Sequence, residues 1–226
     1  MLNSKDIETI EKCIDYHFKN VSLLNTAFTH SSYAFNNNIE SNERLEFLGD
    51  SALNFCTTMY LYNNFNLSEG VSSKIRAYLV SSENVSKFIS NNNLENYLLC
   101  NNFNPKKSIN VMGDLYEAIV GAILKDSNIE CCKNFVYSSL KFNPALIDDI
   151  KNKTKDYKTE LQEHVQQFGQ KLEYILLEKM GPAHMPLFTV QVKIEDKLYA
   201  KATANSKKEA ENISAKQTLE IIKNIN

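Results

Sequence analysis

Long apolar runs are missing from the 226 residues, none of which comes near the roughly 20 needed to span a bilayer. No membrane contact is expected. The start, MLNSKDIETIEK, has no apolar core behind a basic opening, so no signal peptide is expected and the cytoplasm is the expected compartment. Tryptophan is absent, and with the many asparagines this hints at an AT-rich genome. The five cysteines are odd in number and form no CxxC pair; adjacent Cys131 and Cys132 cannot easily grip one metal ion together. With Cys13, Cys56 and Cys100 they read as reduced, partly buried thiols. The histidines, His17, His30, His164 and His184, are too scattered for a zinc site. Neither internal repeats nor long low-complexity tracts occur.

What is present divides unevenly. The formal charge is −2, which alone argues against a polyanion-binding protein. Residues 1–150, however, hold 12 Lys and Arg against 17 Asp and Glu, while residues 151–226 hold 13 against 10. An acidic first part and a basic second part suit a division between metal chemistry and polyanion binding.

The first part reads as helical throughout. Apolar residues recur at helical spacing in Ile7–Tyr16, Leu23–Phe28, Arg44–Tyr62, Val71–Leu79 and Val111–Leu124, separated by asparagine-rich breaks at 36–38, 91–93 and 101–104. The polar stretch 143–157 reads as a linker, with room for a helical turn. Beyond it Thr159–Phe168 is a short amphipathic helix. Leu172–Lys179, Leu187–Ile194 and Lys197–Ala204 read as strands, the last two joined by a turn at Glu195–Asp196. Lys207–Lys223 is a final helix, with Ser206 and Glu209 spaced as a capping box. Helix, three antiparallel strands and helix make a small α+β domain.

Two acidic clusters carry chemistry. Glu43, Glu46 and Asp50 stand at i, i+3 and i+7, on one helix face, where three like charges repel unless a cation intervenes. A solvated acidic helix edge is the plainer reading of that triplet. Asp114 and Glu117, again i and i+3, interrupt the otherwise apolar VMGDLYEAIVGAIL, and burying them is costly without compensation. They cap or pair with a lysine, or the two helices converge on a hard cation such as Mg²⁺. At the other end Lys207 and Lys208 occupy the first turn of the last helix, where cations oppose the helix dipole. They merely solubilise that helix, or they meet phosphate there.

NERLEFLGDS, from Asn42 to Ser51, resembles the hallmark motif of the ribonuclease III family without a gap. THSSY at Thr29–Tyr33, SEGVSSKIRAYLV at Ser68–Val80 and GDLYEAIVGAI at Gly113–Ile123 resemble further family segments in the usual order. KTELQE at Lys158–Glu163, GPAH at Gly181–His184 and SKKEAE at Ser206–Glu211 resemble the three contact regions of a double-stranded RNA-binding motif. The resemblance covers nearly the whole chain. It implies an all-α endonuclease domain over 4–148, a linker over 149–155 and a small α-β-β-β-α RNA-binding domain over 156–226. It implies Glu46, Asp114 and Glu117 as ligands of Mg²⁺, with Mn²⁺ a substitute, and Asp50 and Glu117 as catalytic carboxylates. Glu43 and Glu69 would be supporting acids, and no organic cofactor is expected.

By the same resemblance the chain hydrolyses phosphodiester bonds of duplex RNA, leaving 5′-phosphate and 3′-hydroxyl ends. Short 3′ overhangs require two sites, hence a homodimer, with Phe47 either a dimer contact or simple core. Thr159, Gln162 and Glu163 would meet one minor groove, His184 the next, and Lys207 and Lys208 the phosphates between, a spacing that reads A-form shape over roughly 16 bp. Processing of ribosomal RNA precursors and structured messenger RNAs is the family role. One departure stands out: Ala202 and Ala204 occupy positions where the family commonly has glycine. A non-catalytic RNA-binding regulator would fit a chain lacking an acidic position, and none is lacking. A helical phosphohydrolase acting on small phosphates would leave the C-terminal domain without a task.

Overall fold

The asparagine-rich breaks end helices as a short polar side chain can. A computed structural model of the chain describes residues 1–101, 104–153, 156–182 and 185–225. Helix α1 spans Ser4–Ile14, α2 Val21–Ala27 and α3 Ser31–Asn37, which stops at Asn38 with φ of 52°. Helices α4 (Glu43–Asn64), α5 (Glu69–Leu79) and α6 (Ser82–Asn91) follow, and Asn93 again takes a left-handed φ of 54°. Asparagine tolerates that conformation because its side chain hydrogen-bonds locally. After two short 3₁₀ turns come α7 (Ile109–Asp126), α8 (Ile129–Ser139) and α9 (Pro144–Lys153). The described residues divide into two compact units, Met1–Thr154 and Lys155–Asn226.

In the first unit α7 is the central rod. Its Leu115, Tyr116 and the whole run Ala118–Ile123 are buried, as so apolar a helix requires. Helix α4 lies against it with almost no gap. A Cβ placed on Gly49 would sit 1.8 Å from the carbonyl oxygen of Glu117, and one on Gly121 2.0 Å from that of Leu45. Only glycine at both positions lets the two backbones touch. Tyr116 stacks on Phe135 of α8 at 5.4 Å and shares a 2.8 Å hydrogen bond with Ser139, which satisfies its buried hydroxyl.

The stretch expected as a linker is largely helix. Ile147 and Ile150 of α9 are buried with Leu61, Ile75 and Leu79, so α9 closes the far end of the first unit. Two apolar residues one turn apart among lysines and aspartates carried too little periodicity to register.

In the second unit α10 (Tyr157–Gln167) precedes β1 (Leu172–Met180), β2 (Leu187–Ile194), β3 (Lys197–Ala204) and α11 (Lys207–Ile225). The sheet is antiparallel in the order β1-β2-β3. Alternation along β2 buries Val190, Val192 and Ile194; Val192 and Ile194 pack with Leu161, Val165, Ala215 and Leu219 of the two helices, and Val190 packs with Ala204 and Ala210. Glu195 adopts φ of 50° at the tight turn into β3. Ala202 and Ala204 pair regularly with Val190 and Phe188, and neither has positive φ, so alanine is accommodated there without backbone strain.

Candidate active site and nucleic-acid interface

Because Gly49 and Gly121 bring α4 and α7 into backbone contact, the two acidic clusters face one another. Burial pushes the Glu46 carboxyl up, and Asp114, Glu43 and Asp50 push it further. Burial likewise raises Asp114, an effect eased by His30 beside it. Glu117 is the most perturbed: burial first, then Asp50, Asp114 and Glu46, carry it from 4.5 to about 8. Among the described residues none of Glu46, Asp50, Asp114 and Glu117 pairs with a lysine or arginine. The lysine-pairing reading of Asp114 and Glu117 therefore falls, and so does the plain acidic edge for Glu46. Arg44 pairs with Glu40 at 3.2 Å, and Arg76 donates to the Thr58 hydroxyl at 3.2 Å, so neither neutralises the cluster.

Among the described residues no three His, Cys, Asp or Glu side chains converge closely enough to clasp an ion as they stand. Carboxylates that raise one another's proton affinity repel, and a cation between them would relieve that repulsion. The donor set itself, oxygen only, partly buried and unpaired with lysine or arginine among the described residues, fits a hard divalent cation.

The periphery is uneven. Glu43 is exposed, accepts a 3.1 Å bond from the Ser41 hydroxyl and acts on Glu46. Glu69, at the start of α5, accepts from Ser73 at 3.0 Å and lines a separate cleft of about 410 Å³ with Thr58 and Arg76. It is not among the groups that raise Glu46, Asp114 and Glu117. Asn54 donates to Asp50 at 2.8 Å and fixes that carboxylate's orientation. Sequence reasoning passed over Asn54, although its place four residues after Asp50 puts it on the same helix face. It also gave no part to His30. The Thr29 carbonyl accepts from the Asn42 amide at 2.8 Å, and the His30 amide donates to the Leu99 carbonyl at 3.0 Å, so THSSY anchors the start of α4 beside the site.

Phe47 is 79% exposed, which rules out simple core packing in the single chain. Phe55 and Tyr62, at 49% and 81%, continue the same side of α4 as an aromatic stripe.

In the second unit Thr159 and Glu163 are exposed and Gln162 is half-buried on α10, whose N-terminus is capped by Asp156 accepting from the Thr159 amide at 3.1 Å. Lys207 and Lys208 are exposed in the first turn of α11, where the Ser206 hydroxyl accepts from the Glu209 amide at 3.2 Å. The backbone amide of Lys158 donates to Asn212 at 3.2 Å, which sets the start of α10 beside the first turns of α11. The His184 expectation lies outside the described residues.

The Ribonuclease-III-like family matches residues 20–142, and the double-stranded RNA binding motif matches residues 157–222. A protein named Ribonuclease 3 from Campylobacter jejuni is 37% identical over 222 residues, covering 96% of this chain and 97% of its own. Another of that name from Carboxydothermus hydrogenoformans is 36% identical over 232 residues, covering 99% and 98%. The solved nuclease domain of ribonuclease III from C. jejuni, described as flexible in a region involved in dimer formation, superposes with a TM-score of 0.56 at 32% identity. It covers 62% of this chain and 99% of its own.

Proposed function

The chain belongs to the ribonuclease III family, a helical nuclease unit followed by a double-stranded RNA-binding unit, and we propose that it hydrolyses duplex RNA at the cluster between α4 and α7. Glu46, Asp114 and Glu117 would hold the divalent metal, Mg²⁺ by preference and Mn²⁺ in its place. The observation that carries this is the set of partly buried carboxylates Glu46, Asp114 and Glu117 raised together, Glu117 to about 8, with no lysine or arginine paired to them among the described residues and only His30 easing Asp114. Bound there, a divalent ion supplies a Lewis acid for the phosphodiester and counter-charge for the leaving oxygen. Asp50, oriented by Asn54, takes the proton of the attacking water, and Glu117 lies near enough to feel the Asp50 charge. Attack at phosphorus that expels the 3′ oxygen leaves a 5′-phosphate and a 3′-hydroxyl.

Thr159, Gln162 and Glu163 on α10 meet a minor groove, and Lys207 and Lys208 meet phosphates, which recognises A-form shape more than base sequence. The exposed aromatic stripe around Phe47 supports a homodimer that places one site on each strand. The catalytic unit expected over 4–148 is best extended through α9 to Lys153, and an RNA-binding unit over 156–226 follows. Ribosomal RNA precursors and structured messenger RNAs are the expected substrates, and the cytoplasm is the place where they would be met.

The test is a long RNA duplex incubated with the protein, with and without Mg²⁺, beside Glu117→Gln. The variant is expected to bind duplex RNA and not to cut it. Cutting that persists in Glu117→Gln, or in excess chelator, overturns the assignment.

A further inference from the structure

A buried carboxylate among lysines that grip a polyanion is an odd economy, since its charge repels the same ligand. Glu211, on α11, is such a group at 8% exposure. One of its oxygens lies 2.6 Å from the ammonium of Lys158, the other 3.8 Å from that of Lys207. The Lys158 ammonium also sits 4.9 Å from the centre of the Tyr174 ring, and its backbone amide donates to Asn212 at 3.2 Å. One carboxylate thus clips the first turn of α10, which carries Thr159, to the first turn of α11, which carries Lys207 and Lys208.

We infer that Glu211 is a positioning residue for duplex RNA, holding the minor-groove contacts of α10 and the phosphate-gripping lysines of α11 at the spacing A-form RNA requires. The inference rests on the RNA-binding surface proposed above. Its physical content is a sign. If Glu211 acted only as charge, removing it would tighten RNA binding, because a negative group leaves the neighbourhood of the phosphates. If it positions, removal frees Lys158 and Lys207 to wander, and binding weakens although the surface has become more positive.

Glu211→Gln and Glu211→Asp are made in the full chain, in a Glu117→Gln background so that the RNA stays whole. Binding to labelled duplexes is read by fluorescence anisotropy across a salt series. Both variants are expected to weaken binding to a duplex of about 16 bp by about tenfold and to lower the salt slope by about one, the loss of one phosphate contact. Glu211→Asp keeps the charge but falls one methylene short of the two lysines. A duplex of about 8 bp, too short to meet both contact regions, should change less than about twofold.

Tighter or unchanged binding by Glu211→Gln overturns the inference, as does wild-type binding by Glu211→Asp. So does equal weakening at both lengths in step with a lower melting temperature of the C-terminal unit, which marks a merely structural role. Lys207→Ala/Lys208→Ala separates the premise: undiminished affinity in that variant sinks the RNA-binding surface itself, whatever Glu211 does.

Discussion

In metal-free protein the carboxylate cluster works against the fold, and Glu117→Gln measures by how much. The folded chain holds the Glu117 proton at about 8, while the unfolded chain releases it near 4.5. Between those values the folded state binds more protons, so stability falls as pH rises. The contribution is fully present below about 4.5 and is lost by the time pH has passed about 8. Each unit is worth roughly 1.4 kcal/mol, which would give on the order of 5 kcal/mol for a fully enclosed group. Glu117 is partly open to solvent, and screening brings this to on the order of 2 kcal/mol.

Glutamine has the same shape and carries no charge. In excess chelator at pH 9, Glu117→Gln should therefore be the more stable protein by on the order of 2 kcal/mol, or about 4–8 °C for a chain of this size. At pH 5 the difference should nearly vanish. Calorimetric melting of the helical unit across pH 5–9 is the assay. Millimolar Mg²⁺ should reverse the order, because a cation that binds only the folded wild type stabilises it by mass action. A variant no more stable than wild type at pH 9, or a wild type whose stability climbs through this window, refutes the reasoning.

Three other perturbations probe other parts. Gly49→Ala drives a Cβ into the Glu117 carbonyl; it should cost at least about 3 kcal/mol and abolish cutting by parting the carboxylate clusters, read by melting and by duplex cleavage. Phe47→Ala should change the stability of the single chain by less than about 0.5 kcal/mol, since the ring is exposed, yet shift sedimentation from dimer toward monomer. Undisturbed sedimentation would remove Phe47 from the interface. Lys207→Ala/Lys208→Ala should lower the salt slope of duplex binding by about two while cutting at low salt persists.

Periodicity and spacing carried much of the architecture. The ends of β2 and β3 were legible at Leu187–Ile194 and Lys197–Ala204, because a sheet with one covered face alternates with period two. That Glu43, Glu46 and Asp50 share one helix face, and Asp114 and Glu117 another, was legible too, because acids at i, i+3 and i+7 share a face whatever the helix packs against. The sequence alone determined which residues could form a cation site and that a basic α+β unit follows the helices.

Only the tertiary structure decided whether those faces meet. The glycine contact between α4 and α7 is a matter of two backbones touching, and no local pattern announces it. Helix α9 escaped notice because Ile147 and Ile150 are defined by what covers them. Phe47 could have been core or surface, a choice that depends on the rest of the fold. The Lys158–Glu211–Lys207 clip joins residues some fifty positions apart. Local spacing fixes the face a side chain occupies; what stands opposite that face is set by long-range packing.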